Sequence, residues 1–233
     1  MHRPSTPTGL FTASTLEALL LFLLTGCGDA APPDPNPRPD ADYYPMRDGL
    51  VSVYRHSNKG GWDETVTLTA LGDDRFSEVD SPSPDGERTE SVQEVDAAGR
   101  VWRIEKHDYV DDELDISVEY EPGFIRFDPA WLALQPNESV RMAYERTETA
   151  AGDTPDPARE RAHIYTSQGY ESVTVLDRTY HDCLVIQRQR DYEDTQGNAE
   201  DEEKQFYFAP DVGKVLEVNL DSGHTEELVS NDD

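Results

Sequence analysis

The sequence predicts an all-β, mainly antiparallel fold: a curved sheet, half-barrel or barrel-like single domain after a signal peptide and a Pro-rich linker. Three observations carry this. Apolar and polar residues alternate with period two in short segments along most of the chain, the pattern of half-buried strands. Turn signals built on Gly, Pro and Asp separate those segments at short intervals. Helical spacing is confined to two short stretches, Pro129–Leu134 and Pro157–Ala162.

Leu50–Tyr54 is the first expected strand, entered after Gly49, and Thr65–Leu71 alternates as a half-buried strand should. Arg88–Val95 and Arg100–Glu105 flank Asp96-Ala97-Ala98-Gly99, a hairpin signal. Leu114, Ile116, Val118 and Tyr120 alternate with Asp115, Ser117, Glu119 and Glu121, and Pro122-Gly123 reads as a turn into Phe124–Phe127. Asp128 is placed to cap a helical turn, with Pro129 at its first position. Val140–Arg146, Tyr170–Leu176, Cys183–Tyr192, Glu203–Phe208, Lys214–Leu220 and Thr225–Val229 complete the set of strands. Gln196-Gly197-Asn198 is the expected tip of a long hairpin between residues 183 and 208. Thr147–Glu160, with Gly152, Pro155 and Pro157, is the main irregular insertion and the segment best suited to display a recognition loop.

The 233 residues hold 49 Asp and Glu against 20 Lys and Arg, a net charge of −29. Low hydrophobicity with high net charge is the signature of disorder. Eleven Tyr, seven Phe and three Trp, most of them in the alternating segments, argue instead for a folded acidic domain over residues 43–233. The charge argues against nucleic acid and against anionic headgroups as direct partners of that domain.

Ala18–Leu24 is a seven-residue apolar run, far too short to span a bilayer as a helix. It ends in Leu24-Thr25-Gly26-Cys27, which resembles a bacterial lipobox. The resemblance implies a signal peptide over residues 1–26, a diacylglycerol on the Cys27 sulfur, and a membrane partner reached through that lipid. Gly28 rather than Asp follows the cysteine; by resemblance to Gram-negative lipoproteins this implies the outer membrane of the cell envelope. Residues 27–42 then form a lipidated, Pro- and Asp-rich linker that cannot bury a core. In extended polyproline geometry such a tether reaches roughly 45 Å. Losing residues 1–26 removes Arg3 and Glu17, so the mature chain keeps 19 basic against 48 acidic residues and the same −29. With Cys27 acylated, Cys183 has no intrachain disulfide partner, and its apolar run Cys183-Leu184-Val185-Ile186 marks it as a buried, inert thiol.

A second resemblance spans the domain. Asp42-Tyr43-Tyr44-Pro45-Met46, followed by Gly49 and Tyr54, resembles the Tyr-x-Pro-Leu…Gly-Asn-x-Trp-x-Tyr opening of a family of uncharacterised bacterial lipoproteins. Glu171–Val175 and Tyr180–Ile186 are similar to that family's central hairpin, and Phe206–Val215 to its Tyr-Tyr-Ala-x-x-Val-Gly-Leu-Val strand pair. Glu227–Ser230 is similar to its terminal strand. Ser52 stands where the opening Trp would be, and Arg178-Thr179-Tyr180 replaces the usual turn. The resemblance implies a curved antiparallel sheet or half-barrel of unknown activity in the envelope.

Motifs for chemistry are missing. There is no His-Glu-x-x-His, Gly-x-Ser-x-Gly, phosphate-binding Gly-rich loop or Cys-x-x-Cys. The six His are scattered singly, and His56, His107 and His224 near strand ends read as solvated surface residues. The acidic clusters Asp108–Glu113 and Asp191–Asp194 with Asp201–Glu203 do not follow an EF-hand loop and read as solvated hairpin tips. No catalytic residue, cofactor or metal site is therefore expected, and Cys27 is the single site residue. The expected role is a binding or structural module of unknown ligand, protein partner and oligomeric state, not an enzyme. The alternative is a carrier of an apolar ligand or lipid, with Trp102, Tyr120, Phe124, Phe127, Trp131, Tyr207 and Phe208 lining a concave face rather than filling a core. A hydrolase with an unrecognised site is the third reading.

Overall fold

The computed structural model describes residues 38–192 and 202–232. Among these, twelve antiparallel strands close into a barrel. They are β1 (Val51–His56), β2 (Trp62–Gly72), β3 (Arg75–Asp80), β4 (Glu87–Val95), β5 (Val101–Val110) and β6 (Glu113–Phe127). A short 3₁₀ turn, Pro129–Ala133, precedes β7 (Ser139–Ala150), β8 (Arg159–Val175), β9 (Arg178–Arg190), β10 (Glu203–Ala209), β11 (Gly213–Asn219) and β12 (Thr225–Asp232). Each strand lies beside its neighbours in sequence, and β12 pairs with β1 from Val51↔Asp232 to His56↔Glu226. The all-β expectation holds, and the last strand closes the sheet. Closure leaves no edge strand with unpaired backbone groups.

One end of the barrel is floored by an apolar cluster. Tyr43, Val101, Ile125, Phe127, Trp131, Tyr165, Leu184, Ile186 and Phe208 are its buried members. Two come from outside the strands: Tyr43 from the segment that leads into β1, and Trp131 from the 3₁₀ turn. Asp128 caps that turn as expected, its Oδ1 accepting from the Ala130 N–H at 2.9 Å. The Tyr43 hydroxyl donates to the Asp182 carbonyl at 3.1 Å. Residues 38–42 are also tied to the barrel, since the Asp42 N–H donates to Asp211 Oδ1 at 3.0 Å and Arg38 pairs with the same carboxylate at 3.3 Å. The opening segment reaches the β10–β11 turn because Gly213, at φ +98°, has no Cβ; one would sit 3.1 Å from Pro45 Cδ. A second cluster gathers Val175, Tyr180, Cys183, Ala209, Val215 and Leu228 from β8 to β12.

The outer face is polar. Glu105, Glu119 and Glu145 are exposed in mid-strand, at positions where a bilayer-spanning barrel carries apolar side chains. No helix among the described residues is long and apolar enough to cross a membrane.

Two local expectations are corrected. Pro122-Gly123 is not a turn: β6 runs through it, and the β5 pairing skips from Arg103↔Phe124 to Glu105↔Glu119. Gly123 makes this bulge possible, because a Cβ there would lie 3.0 Å from Trp102 Cβ. Pro157–Ala162 is not helical: β8 starts at Arg159, and Arg161 is buried on its inner side. Thr147–Glu160 is irregular over residues 151–158, with β7 reaching Ala150 and β8 beginning at Arg159. The structure adds β3, which the hydrophobic pattern does not mark, because its inward residues are Glu78 and Asp80. Gln196-Gly197-Asn198 lies outside the described residues.

The Asp96–Gly99 hairpin is organised by one carboxylate. Asp96 Oδ1 accepts from the N–H groups of Ala98 at 2.8 Å and Arg100 at 3.1 Å, while Oδ2 accepts from Arg100 Nε at 2.7 Å and Trp102 Nε1 at 3.1 Å. Burial works against the ionised form, but these donors outweigh it and bring the pKa down to about 2. A depressed carboxylate contributes stability that is present above its unfolded pKa of about 4 and is lost as pH falls toward its folded value. We expect Asp96→Asn to cost about 2 kcal/mol at neutral pH, with the gap to wild type closing between about pH 4 and 2; urea titrations across that range measure it.

Candidate binding chamber

Above the apolar floor the barrel encloses a cavity of about 580 Å³, within the usual range for small-molecule sites. Nine Lys and Arg and six Asp and Glu stand among its described lining residues. Strand alternation puts them there. On β8, Arg161, His163 and Tyr165 share the inner face; on β9, Arg188 and Arg190 continue the face begun by Leu184 and Ile186. Across the ladder Arg190 sits opposite His163, Arg188 opposite Tyr165, and Lys204 of β10 opposite Arg188.

The lower wall is aromatic. Trp131 stacks on Tyr165 with ring centroids 4.8 Å apart, and Phe127 meets Phe208 edge-on at 5.3 Å. The Tyr165 hydroxyl donates to the Ile125 carbonyl at 3.1 Å. The middle of the chamber is a set of ion pairs. Glu78 binds Arg103 at 2.9 Å and accepts from Gln93 Nε2 at 3.2 Å and Ser91 Oγ at 3.3 Å. Arg126 approaches the same carboxylate at 3.9 Å. Glu217 bridges Lys204 at 2.6 Å and Lys214 at 3.0 Å, and Lys214 also reaches Glu226 at 2.7 Å.

These contacts set the charge states. Burial pushes the Glu78 pKa up, but the Arg126 and Arg103 charges prevail and hold it below the usual range. Glu217 behaves likewise, held well below by Lys214, Lys204 and Arg188 against the effect of burial. Asp80 goes the other way: burial first, then the charges of Glu78 and Glu64, raise it well above the usual carboxylate range, which favours its neutral form. The lining is therefore net cationic.

The upper wall combines rings with guanidinium groups. Tyr144 stacks on His163 with centroids 5.7 Å apart, and Phe124 meets His163 edge-on at 5.2 Å. Arg188 lies over Phe124 at 5.4 Å and Phe206 at 5.1 Å, and Arg161 lies over Tyr192 at 4.1 Å. Glu202 meets this group, 3.7 Å from Arg188 and 3.5 Å from Lys204, and pairs with Arg190. His163 is 4% exposed, and its Nδ1 has no hydrogen-bond partner among the described residues. Burial, then the charges of Arg188, Arg190 and Arg161, bring its pKa down to about 2.

The residues singled out from sequence fall in different places. Of the aromatic set, Tyr120, Phe124, Trp131 and Phe208 line the chamber, Phe127 and Trp102 belong to the floor, and Tyr207 packs in the second cluster. Cys183 is a free, fully buried thiol whose pKa burial pushes up to about 12. The His181 ring is engaged elsewhere, its Nδ1 3.0 Å from Ser172 Oγ. His56 is not a solvated surface residue: it is buried, stacks on Trp62 at 4.4 Å and pairs with Glu64 at 3.1 Å. No group of three or more His, Cys, Asp and Glu suited to a metal occurs among the described residues. Cys27 and Glu193–Asp201 lie outside them. Sequence reasoning missed the basic lining; its signal was the alternation Arg161-x-His163-x-Tyr165 and Ile186-x-Arg188-x-Arg190.

No family model matches the sequence, and no curated protein matches it. Two solved structures are similar in shape. One is the hypothetical lipoprotein YmcC from Escherichia coli K12, 12% identical, with a TM-score of 0.42 over 79% of this chain and 87% of that one. The other is the putative exported protein with a YmcC-like fold from Bacteroides fragilis NCTC 9343, 12% identical, with a TM-score of 0.46 over 83% of this chain and 100% of that one.

A histidine held neutral in the native state has a definite acid signature. Below about pH 6.5 the unfolded chain takes up a proton that native His163 refuses, so this group lowers stability by about 1.4 kcal/mol per pH unit as pH falls. We expect His163→Phe to flatten the fall in unfolding free energy between about pH 6.5 and 5 by one proton's worth. Urea titrations of both proteins give the two slopes, and equal slopes would refute the assignment.

Proposed function

We propose that this chain is a lipid-anchored protein of the bacterial cell envelope, held in the outer membrane through Cys27, whose barrel is a binding module for a small molecule. The observation that carries the binding part is the cavity of about 580 Å³ above the aromatic floor. A barrel that needed only to be stable would gain by filling this space with apolar side chains, because burying charges costs more than a well-packed apolar core. The wall instead presents ionised groups and ring faces to the chamber, the mixture that binding sites use to fix and orient a ligand. A purely apolar cargo suits this wall poorly, since it would displace water from the ionised side chains of Arg188, Lys204 and Lys214 and offer them no acceptor. The anchoring part rests on Leu24-Thr25-Gly26-Cys27 and, for the outer membrane, on Gly28.

Two measurements test the two parts separately. Cys27→Ser is expected to move the protein from the detergent phase to the aqueous phase and to block processing before residue 27; an unchanged detergent-phase fraction would refute the anchor. Native mass spectrometry of the protein purified from its own envelope is expected to show an acyl mass and a co-purifying small molecule. Val66→Trp, which projects bulk from β2 into the chamber, should abolish the small-molecule mass and leave the acyl mass.

A further inference from the structure

The chamber's charge is opposite in sign to that of the protein around it. The chain carries −29 overall, yet among the described residues nine Lys and Arg line this one cavity against six Asp and Glu. Within the chamber the excess is concentrated on the upper wall. Arg161, Arg188 and Arg190 come from two paired strands and surround His163, with Lys204 opposite Arg188 on the next. Among the described residues, Glu202 meets Arg188, Arg190 and Lys204 together.

Hydrogen-bonding capacity on this wall is unspent. His163 Nδ1 and Arg188 Nε are buried and have no partner among the described residues, and the same holds for Trp131 Nε1 lower down. Leaving such groups unsatisfied costs on the order of 1–3 kcal/mol each, so a ligand that supplied oxygen acceptors would recover that loss. Ring faces stand beside the charges: Phe124, Tyr144 and Phe206 contact His163 or Arg188 directly. A bare anion would leave those rings facing water.

We propose that the upper chamber binds an amphipathic organic anion. Its charged oxygens lie against Arg188 and Arg161 beside His163 Nδ1, and its apolar or ring body lies along Phe124, Tyr144 and Phe206. This deepens the binding reading above and rests on it. Carboxylate and phosphate esters share the required chemistry. The neutral imidazole brings one N–H, and the guanidinium groups bring charge-assisted donors in fork geometry.

The test uses the full mature chain, residues 27–233, carrying Cys27→Ser so that no detergent is needed. Isothermal calorimetry compares two dyes with the same ring body, anionic 1-anilinonaphthalene-8-sulfonate and neutral N-phenyl-1-naphthylamine. The anion is expected to bind once per chain and at least about tenfold tighter, with that preference shrinking as salt rises. Arg188→Gln should weaken the anion by about tenfold and leave the neutral dye within about twofold. Dodecyl phosphate should displace the anionic dye, and inorganic phosphate at equal concentration should not. Equal affinity for the two dyes in the unsubstituted chain would overturn the anion site while leaving the chamber standing, and this comparison needs no variant to fold. Displacement by inorganic phosphate would overturn the apolar half of the proposal. Failure of both dyes to bind, together with no effect of Val66→Trp on co-purifying mass, would overturn the chamber itself.

Discussion

Everything in this molecule follows from closing twelve strands into one ring. Closure satisfies the backbone of every strand and removes the edges on which β proteins aggregate. It also sets a width. An eight-stranded barrel is just filled by its own side chains, and wider barrels leave internal space. Here the space is managed in two ways. At one end, Tyr43 and Trp131 enter from outside the sheet and, with Tyr165 and Phe208, build a solid floor. Above it, the inward side chains are long and charged and reach toward one another across what remains.

That second solution depends on pairing. A buried carboxylate or ammonium is costly unless its partners are close and its hydrogen bonds complete. Glu78 shows how the condition is met: Arg103, Arg126, Gln93 and Ser91 converge on it from β4, β5 and β6. Glu217 does the same for Lys204 and Lys214. Asp80, with carboxylates beside it, instead favours its neutral form. On the upper wall the rings of Phe124, Tyr144 and Phe206 stand beside the arginines. Outside, exposed glutamates repel anions in bulk. Selection of an anion is thus left to contacts made inside.

Much of the architecture was legible from the residues. Thr65–Leu71, Leu114–Tyr120 and the Asp96–Gly99 hairpin were readable because one face of each strand is apolar or its turn chemistry is local. Asp128 announced its turn for the same reason: a cap is set by its own side chain and the next two residues. β3 was invisible because its inner face is Glu78 and Asp80, so the alternation carries no hydrophobic signal. Pro122-Gly123 and Pro157–Ala162 misled because their local preferences for turn and helix were overridden, the first by pairing of the flanking Glu119 and Phe124 with β5, the second by pairing of Arg159–Ala162 with β7. The chamber was half legible: its aromatic members stood out, while no motif marked Arg161, Arg188 and Lys204 as lining residues.

The sequence by itself determined the all-β class, the acidic exterior and the expectation of a lipid on Cys27, because these rest on composition, period and short contiguous motifs. Tertiary structure alone decided that the ring closes, that Arg161, Arg188, Arg190 and Lys204 face inward, and that the three arginines meet around His163. The reason is physical. Alternation states which residues share a face, but only closure states which face is inside, and in a barrel this wide the inside need not be the apolar one.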